Sequence, residues 1–165
     1  MILINAIGFS NSGKTILLEA LAAHYVSEGV TVAAIKDIHG EDFRPDEEGK
    51  DTWRLAQAGA TPVVGHSLHD TIFHWPQFIP LLEVISKITA EVILVEGFKN
   101  ESMPRIVCAR DVGPLATLVD ADTYCITGPI SDEMQEYDGI PVLSARHDLP
   151  QIINLAELHS IRYEL

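Results

Sequence analysis

The sequence has few basic residues for its length. Among 165 residues, 11 Lys and Arg stand against 24 Asp and Glu, and the formal net charge is −13. A surface of that sign repels the phosphate backbone of nucleic acids, so the composition argues against a general nucleic-acid-binding protein. No apolar run approaches the ~20 residues that a membrane-spanning helix needs. Since the first residues carry no basic stretch, we expect no secretory signal either.

Cysteine is also scarce, and the two that occur, Cys108 and Cys125, each fall within a strand-like apolar run. We interpret them as buried thiols of a cytoplasmic protein and not as a disulfide or a metal pair. With 47% hydrophobic and 21% charged residues, the composition is that of a globular protein. The length fits a single domain over residues 1–165 with a core of its own.

Aliphatic runs typical of buried strands alternate with helical patterns along the chain. Helices that alternate with such strands favour a mostly parallel sheet with helices on both faces. A polar, acidic loop is predicted over residues 37–50, and residues 65–74 are predicted to form a hairpin or a loop. Strands are predicted over 1–7, 30–35, 61–64, 91–95, 105–109, 123–126 and 141–143, and helices over 14–28, 51–58, 78–88, 131–137 and 149–158.

A glycine-rich motif stands between the first predicted strand and the first predicted helix. It reads Gly8-Phe9-Ser10-Asn11-Ser12-Gly13-Lys14-Thr15 and matches the phosphate-binding P-loop pattern. Gly8 and Gly13 let the backbone curl so that its N–H groups point at phosphate oxygens, and the helix N-terminus favours an anion. We predict that Lys14, as a catalytic residue, reaches the β- and γ-phosphates and that Thr15 offers its hydroxyl to Mg²⁺. The predicted nucleotide-binding residues of the motif are Ser10, Asn11, Ser12, Gly13, Lys14 and Thr15.

The fold class predicted from these patterns is α/β, a three-layer P-loop NTPase fold with a mostly parallel sheet. Ligands of such sheets lie at the carboxyl ends of the strands, where Lys36, Asp37 and Glu96 follow two predicted strands. Glu96 fits a Walker B-like, catalytic position, which holds a Mg²⁺-bound water or orients the attacking water. We predict that Lys36 offsets phosphate charge and that Asp37 approaches the metal. Ordinary solvated charges are the alternative for all three.

Two groups of residues allow more than one interpretation. Asp51 is either an ordinary N-cap of the helix that begins near Thr52 or a residue of the site. His66, His69 and His74 have irregular spacing and no neighbouring cysteine, which makes a structural zinc site a weak interpretation.

Beyond the P-loop motif, further segments follow one another in a characteristic order. They are Val32-Ala33-Ala34-Ile35-Lys36 with a histidine-containing loop after it, Gly49-Lys50-Asp51-Thr52, Ala58-Gly59-Ala60 and Val95-Glu96-Gly97-Phe98-Lys99. In this set, over roughly residues 1–160, the chain resembles the molybdopterin-guanine dinucleotide biosynthesis protein B family. The combination of Gly-Lys-Asp-Thr with Val-Glu-Gly-Phe-Lys is far more specific than the P-loop alone.

The resemblance implies a GTP-binding, Mg²⁺-dependent protein with weak GTPase activity that acts in attaching GMP to molybdopterin. It implies an adaptor for the molybdopterin guanylyltransferase or for the acceptor molybdoenzyme, and a homodimer. The aromatic segment over residues 65–80 is either the dimer surface or ordinary core packing. Carried over by position, Ser10 to Thr15 hold the phosphates, Thr15 binds Mg²⁺ and Glu96 fills the acidic position. The other residues that the resemblance places at the site are Lys36, Asp46 and Asp51.

The sequence departs from the family pattern after the second strand. Many members have a histidine directly after the lysine and then a paired histidine, whereas residues 36–42 here contain His39 alone and the added acids Glu41 and Asp42. These carboxylates could alter the metal preference. The guanine-reading signature Asn-Lys-x-Asp is absent, and the loop expected on the base side, residues 126–129, offers mainly a hydroxyl and backbone groups. GTP rather than ATP therefore follows from the resemblance only.

Two other functions are compatible with the same motif. A small-molecule kinase needs an acceptor pocket and usually further cations for a lid, which this acidic chain lacks outside the P-loop neighbourhood. A nickel-insertion GTPase is suggested by the histidines, but no Cys-His cluster supports it.

Overall fold

The structure, a computed structural model, describes residues 1–39 and 46–159. Glu41, Asp42 and the centre of the loop predicted over 37–50 lie outside the described residues. The chain packs into two compact units, the first built from Met1–Asp37 and the chain from Ile88 onward, the second from Ile38–Lys87. The single domain over residues 1–165 stays a prediction.

The strands in chain order are β1 (Ile2–Gly8), β2 (Val32–Lys36), β3 (Val63–His66), β4 (Thr71–His74), β5 (Val92–Glu96), β6 (Arg105–Cys108), β7 (Thr123–Thr127), β8 (Glu136–Tyr137) and β9 (Ile140–Pro141). The helices are α1 (Lys14–Ser27), α2 (Asp51–Gln57), α3 (Leu81–Ser86), α4 (Leu115–Leu118) and α5 (Leu149–His159), with a 3-10 helix over Pro129–Asp132. None of the helices in the described ranges has the length and apolar character that crossing a bilayer requires.

A five-stranded parallel sheet in the order β2-β5-β1-β6-β7 forms the centre of the first unit. Strands β1, β5, β6 and β7 are largely buried because helices cover both faces of the sheet, which confirms the predicted α/β fold class. On one face, Ile4 and Ile106 pack in a cluster with residues of α1 and α5. On the other face, Ile7 and Ile126 pack with residues of α4 and the 3-10 helix.

The two cysteines lie inside the first of these clusters, as free buried thiols. Burial disfavours the thiolate and therefore raises the pKa of both, that of Cys125 to about 12. The prediction of buried, unpaired thiols is confirmed.

The second unit contains α2, the antiparallel hairpin β3-β4 and α3. The hairpin pairs Val63 with His74 and His66 with Thr71, so residues 65–74 form the predicted hairpin rather than a loop. The helix predicted over 78–88 is shorter, because Pro80 is extended at ψ 147° as the N-cap of α3. A proline also disfavours helical geometry at the residue before it, which keeps Ile79 out of the helix.

The helix predicted over residues 131–137 is wrong. The chain there forms the 3-10 helix and then enters the short hairpin β8-β9. Asp138 and Gly139 make the turn with φ values of 51° and 79°, the backbone that an Asp-Gly hairpin turn adopts. Helix α4, only four residues long, is too short to show helical periodicity and was not predicted.

Candidate functional site

The P-loop motif forms a curled loop between β1 and α1. Asn11 and Gly13 have positive φ values of 60° and 96°, and Gly13 is the N-cap of α1. A Cβ atom on Gly8 would overlap the carbonyl oxygen of Cys108 and lie 2.5 Å from the Oγ of Ser12, so only glycine fits there. The loop thus has the tight geometry that its sequence predicts.

Two side chains of the motif turn back onto the loop itself. The ammonium of Lys14 donates a hydrogen bond to the carbonyl oxygen of Phe9 at 2.7 Å, which keeps its charge over the loop. Ser12 is 3% exposed, and its Oγ has no hydrogen-bond partner in the described part of the chain. Ser10 and Asn11, in contrast, are exposed. The side chain of Ser12 therefore supports the loop from within, which leaves its backbone as the part that can contact a ligand.

Glu96, at the end of β5, connects the loop with the neighbouring strand β2. Its Oε2 accepts a hydrogen bond from the Thr15 hydroxyl at 3.5 Å, and its Oε1 lies 3.3 Å from the ammonium of Lys36. Lys36 is the register partner of Glu96 in the β2-β5 ladder. Its side chain is 60% exposed, against 13% for Glu96, so the carboxylate is the enclosed member of the pair. The structure thus brings together two residues predicted at the strand ends, Lys36 and Glu96, and Thr15 of the P-loop motif.

Asp37 holds the turn that follows Glu96. Its Oδ2 accepts a hydrogen bond from the Phe98 N–H at 3.2 Å. Gly97 and Phe98 both have positive φ, 99° and 52°, and a Cβ atom on Gly97 would lie 2.7 Å from the Cβ of Asp37. Glycine at position 97 thus allows the segment after β5 to approach Asp37 closely. The metal contact of Asp37 stays a prediction.

Three residues that were not among the predicted site residues hold the segment after Phe98 in place. The Lys99 ammonium lies 4.1 Å from the centroid of the Phe9 ring, a cation–π contact that joins this segment to the loop. The buried guanidinium of Arg105 donates hydrogen bonds to the carbonyl oxygens of Lys99, Glu101 and Met103. Lys99 ends the Val-Glu-Gly-Phe-Lys motif and Phe9 lies within the P-loop motif, but no pattern in the sequence indicated their contact or the role of Arg105.

The remaining predicted residues, Asp46 and Asp51, belong to the second unit. Asp46 Oδ1 accepts hydrogen bonds from the Thr52 hydroxyl at 2.8 Å and from the Glu47 N–H at 2.9 Å. Asp51 is the first residue of α2, and its carboxylate is 98% exposed. Since Lys50 is the N-cap, the N-cap interpretation of Asp51 is wrong. The nucleotide contacts of both residues stay predictions.

The histidines for which a structural zinc site was a weak interpretation show no metal-site geometry in the described residues. His66 Nδ1 hydrogen-bonds the Thr71 hydroxyl at 2.8 Å, and His74 Nδ1 lies 4.0 Å from Asp46 Oδ2. Within residues 1–39 and 46–159, no three His, Cys, Asp or Glu side chains converge as a metal site requires. The oxygen pair of Thr15 and Glu96 is thus the best candidate for an ion that prefers oxygen.

A cavity of about 440 Å³ in the first unit adjoins the loop. This volume lies within the range of small-molecule sites. Gly128 and Pro129, from the loop expected on the base side, line it, as do residues that the sequence did not suggest. The lining consists of Asn11, Gly13, Ile16, Gly128, Pro129, Ser131, Asp132, Ser144, Ala145, Arg146 and His147.

This geometry agrees with the sequence comparisons. Residues 3–127 match the family described as molybdopterin guanine dinucleotide synthesis protein B. The chain belongs to this family. A molybdopterin-guanine dinucleotide biosynthesis adapter protein of Haemophilus influenzae is 33% identical over 113 residues, 66% of this chain and 63% of the relative. A protein of Bacillus subtilis described as a probable adapter of the same pathway is 30% identical over 149 residues, 87% of this chain and 85% of the relative.

Solved structures show the same fold. The crystal structure of Bacillus subtilis MobB superposes with a TM-score of 0.77 and 24% identity, covering 99% of this chain and all of that one. The chain spans less than two thirds of the Haemophilus influenzae relative in the matched region. Membership of the family connects this chain with molybdopterin guanine dinucleotide synthesis, and the resemblance recognised from the motifs is confirmed.

The turn after Glu96 gives a first testable prediction. Replacing Gly97 by Ala should lower the free energy of unfolding by about 1–3 kcal/mol, because the new Cβ meets Asp37 and the backbone has positive φ. Gly59 is a matched control, since it has the same φ of 99° but nothing within 4 Å of its Cβ position. Urea denaturation of both variants measures the difference. Equal losses for Gly97→Ala and Gly59→Ala would show that the contact with Asp37 adds nothing.

Proposed function

We propose that this chain is a GTP-binding, Mg²⁺-dependent adaptor of molybdopterin guanine dinucleotide biosynthesis with slow GTPase activity. The observation that carries the nucleotide part is the meeting of Thr15, Lys36 and Glu96 beside the curled loop. The adaptor part is drawn from family membership and from the printed names of the relatives.

The loop supports the phosphate-binding part of the proposal. Helix α1 is 14 residues long and has no acidic residue in its first turn, so the field at its N-terminus favours an anion. Lys14 adds a full positive charge over the same loop. Ser10, Asn11 and Gly13 contribute backbone N–H groups, and Ser12 contributes its backbone while its side chain supports the curl. A triphosphate is the ligand that these groups fit.

The donor set also fits Mg²⁺. This ion takes oxygen ligands at about 2.0–2.1 Å and keeps several waters. The Thr15 hydroxyl oxygen and the Glu96 Oε2 are 3.5 Å apart, close enough for both to contact one ion, directly or through a bound water. Bound there, Mg²⁺ would offset the charge of the β- and γ-phosphates. Glu96 orients a water, and Lys36 fixes the orientation of that carboxylate by its ion pair.

Exposed apolar side chains of the second unit support the homodimer. Phe73 is 56% exposed, Phe78 is 89% exposed, and the Phe73 ring stacks on Trp75 with 5.9 Å between centroids. Exposed apolar residues grouped in one segment of the chain are typical of an interaction surface. We place the dimer surface on this aromatic segment, residues 65–80.

The two alternative functions gain no observation from the structure. The histidines that suggested a nickel-insertion GTPase do not gather into a metal site within the described ranges. A small-molecule kinase would need an acceptor pocket, whereas our proposal assigns the cavity of about 440 Å³ beside the loop to the nucleoside. Transfer of phosphate to a small acceptor, rather than release of inorganic phosphate, would favour the kinase.

Nucleotide binding is tested by removing the charge of Lys14. We expect Lys14→Ala to weaken Mg²⁺·GTP binding by about a hundredfold, because a charge-assisted contact to phosphate is lost. Isothermal titration calorimetry measures the affinity, and Lys87→Ala is the control, since that ammonium pairs with Glu83 in the second unit. Failure of the unmodified protein to bind either GTP or ATP would refute the nucleotide site as a whole.

Hydrolysis is tested at Glu96. Glu96→Gln keeps the size of the side chain but removes the charge that faces Thr15 and Lys36. We expect at least a tenfold drop in phosphate release from GTP, with a higher Mg²⁺ requirement. The neutral amide oxygen is a weaker ligand for the metal and a weaker hydrogen-bond acceptor for the water than the carboxylate is. Glu91→Gln, at an exposed acid that bonds Thr31, is the matched control. Unchanged release with Glu96→Gln would remove Glu96 from the mechanism.

The adaptor role is tested by direct capture. Immobilised molybdopterin guanylyltransferase, or an acceptor molybdoenzyme in its cofactor-free form, should retain this chain, and more strongly with Mg²⁺·GTP present. Surface plasmon resonance gives the affinity, and the Lys14→Ala variant reports how far retention depends on nucleotide. Retention by neither partner, with or without GTP, contradicts the adaptor role and leaves nucleotide binding unaffected.

A further inference from the structure

The cavity next to the loop contains an acidic side chain that the site described so far does not use. We infer that the carboxylate of Asp132 selects guanine over adenine in the bound nucleotide. The inference rests on the proposed function, since it requires the phosphates of a nucleotide at the loop. It names a residue for the base preference, which the sequence analysis could not assign to any residue.

The position of the cavity makes it the place for the nucleoside. Asn11, Gly13 and Ile16 belong to the loop and the first turn of α1, and they form part of its wall. A nucleotide with its phosphates on this loop therefore has its sugar and base next to the cavity. Ile16, the third residue of α1, is 50% exposed, and Pro129 adds further apolar surface. A flat heterocycle would cover both side chains.

The segment that carries Asp132 is fixed against the loop. The backbone of Gly128 packs so closely on the carbonyl oxygens of Ser12 and Ala109 that a side chain there would overlap both. A Cβ atom on Gly13 would likewise lie 3.3 Å from the Cα of Gly128. The 3-10 helix that ends at Asp132 starts directly after Gly128. The backbone that carries the Asp132 side chain is therefore held in a fixed position relative to the phosphate loop.

Three other polar side chains of the lining are less suited than Asp132 to the Watson–Crick donors of guanine. The Ser131 hydroxyl donates to the Gly128 carbonyl oxygen at 2.8 Å, and the Ser144 Oγ accepts from the Arg146 N–H at 3.3 Å. Arg146 is a donor only. Asp132 is exposed, and within residues 1–39 and 46–159 its carboxylate makes no hydrogen bond or ion pair. It is the acidic side chain of the cavity.

A carboxylate distinguishes the two purines by hydrogen-bond chemistry. Guanine presents two adjacent donors, N1–H and the N2 amino group, which match the two oxygens of a carboxylate. Adenine presents an N1 lone pair beside its N6 amino group, so one carboxylate oxygen would face an acceptor. Arg146 supplies donors for the acceptors O6 and N7 of guanine. A site that pairs with such polar groups discriminates strongly against the analogue that lacks them.

The overall charge supports the same assignment. In a chain of net charge −13, another carboxylate beside a triphosphate weakens binding by repulsion. Hydrogen bonds that the carboxylate accepts from the ligand offset this repulsion. Two donors on the guanine edge meet this condition, and the single N6 amino group of adenine meets it less well.

The test compares Asp132→Asn with the unmodified protein in binding GTP, ATP and xanthosine triphosphate, by calorimetry with Mg²⁺. In xanthine an oxygen replaces the N2 amino group, so a carboxamide, which both donates and accepts, fits its edge better than a carboxylate does. We expect Asp132→Asn to weaken GTP binding by about tenfold to a hundredfold and to bind xanthosine triphosphate more tightly than the unmodified protein does. Binding of ATP should change little.

Glu133→Gln is the matched control, because this exposed acid follows Asp132 directly and does not line the cavity. It removes the same charge and should leave all three affinities unchanged. If Asp132→Asn leaves the ratio of GTP to ATP affinity unchanged while the unmodified protein binds GTP, the role of Asp132 is overturned and the proposed function stands. If the unmodified protein binds no nucleotide at all, both are overturned.

Discussion

The candidate site depends on the two contacts of the Glu96 carboxylate, which is held from two sides. Its two oxygens face Lys36 on β2 and Thr15 at the start of α1. This is possible only because β5 lies between β2 and β1, so that its last residue meets both neighbours at one edge of the sheet. The strand order, rather than any single hydrogen bond, therefore assembles the charged groups of the site.

The segment after Glu96 extends this arrangement to the loop. Asp37 binds its beginning through the Phe98 N–H, and Arg105 binds its end through three backbone carbonyl oxygens. A buried guanidinium needs such partners, and Asp120 and Asp122, at 3.4 and 3.6 Å, complete its neutralisation. Between these anchors, Lys99 reaches the Phe9 ring. The ends of β1, β2 and β5 are thereby connected by polar contacts as well as by the sheet.

Local patterns predicted most of the strands and helices, and the rule on carboxyl ends predicted that Lys36, Asp37 and Glu96 lie at the same end of the sheet. The pairing of Lys36 with Glu96 was beyond reach, because it depends on β5 entering between β1 and β2, a choice made by residues far apart in the chain. The wrong helix over 131–137 has a local cause. Asp138-Gly139 is a strong hairpin signal at the end of this segment, and the chain forms the hairpin β8-β9 around it.

The two halves of the proposed nucleotide site differ in how far a sequence can specify them. The phosphate half is a contiguous motif whose backbone geometry follows from its glycines, so it is legible in eight residues. Although the chain is acidic, three lysines lie at this phosphate half: Lys14, Lys36 and Lys99. Each of their ammonium groups contacts another residue of the protein. The base half is assembled from three separate segments around Asn11, Asp132 and Arg146. Since a base is read by hydrogen bonds that tertiary packing positions, the base preference that we infer has no short signature in this chain.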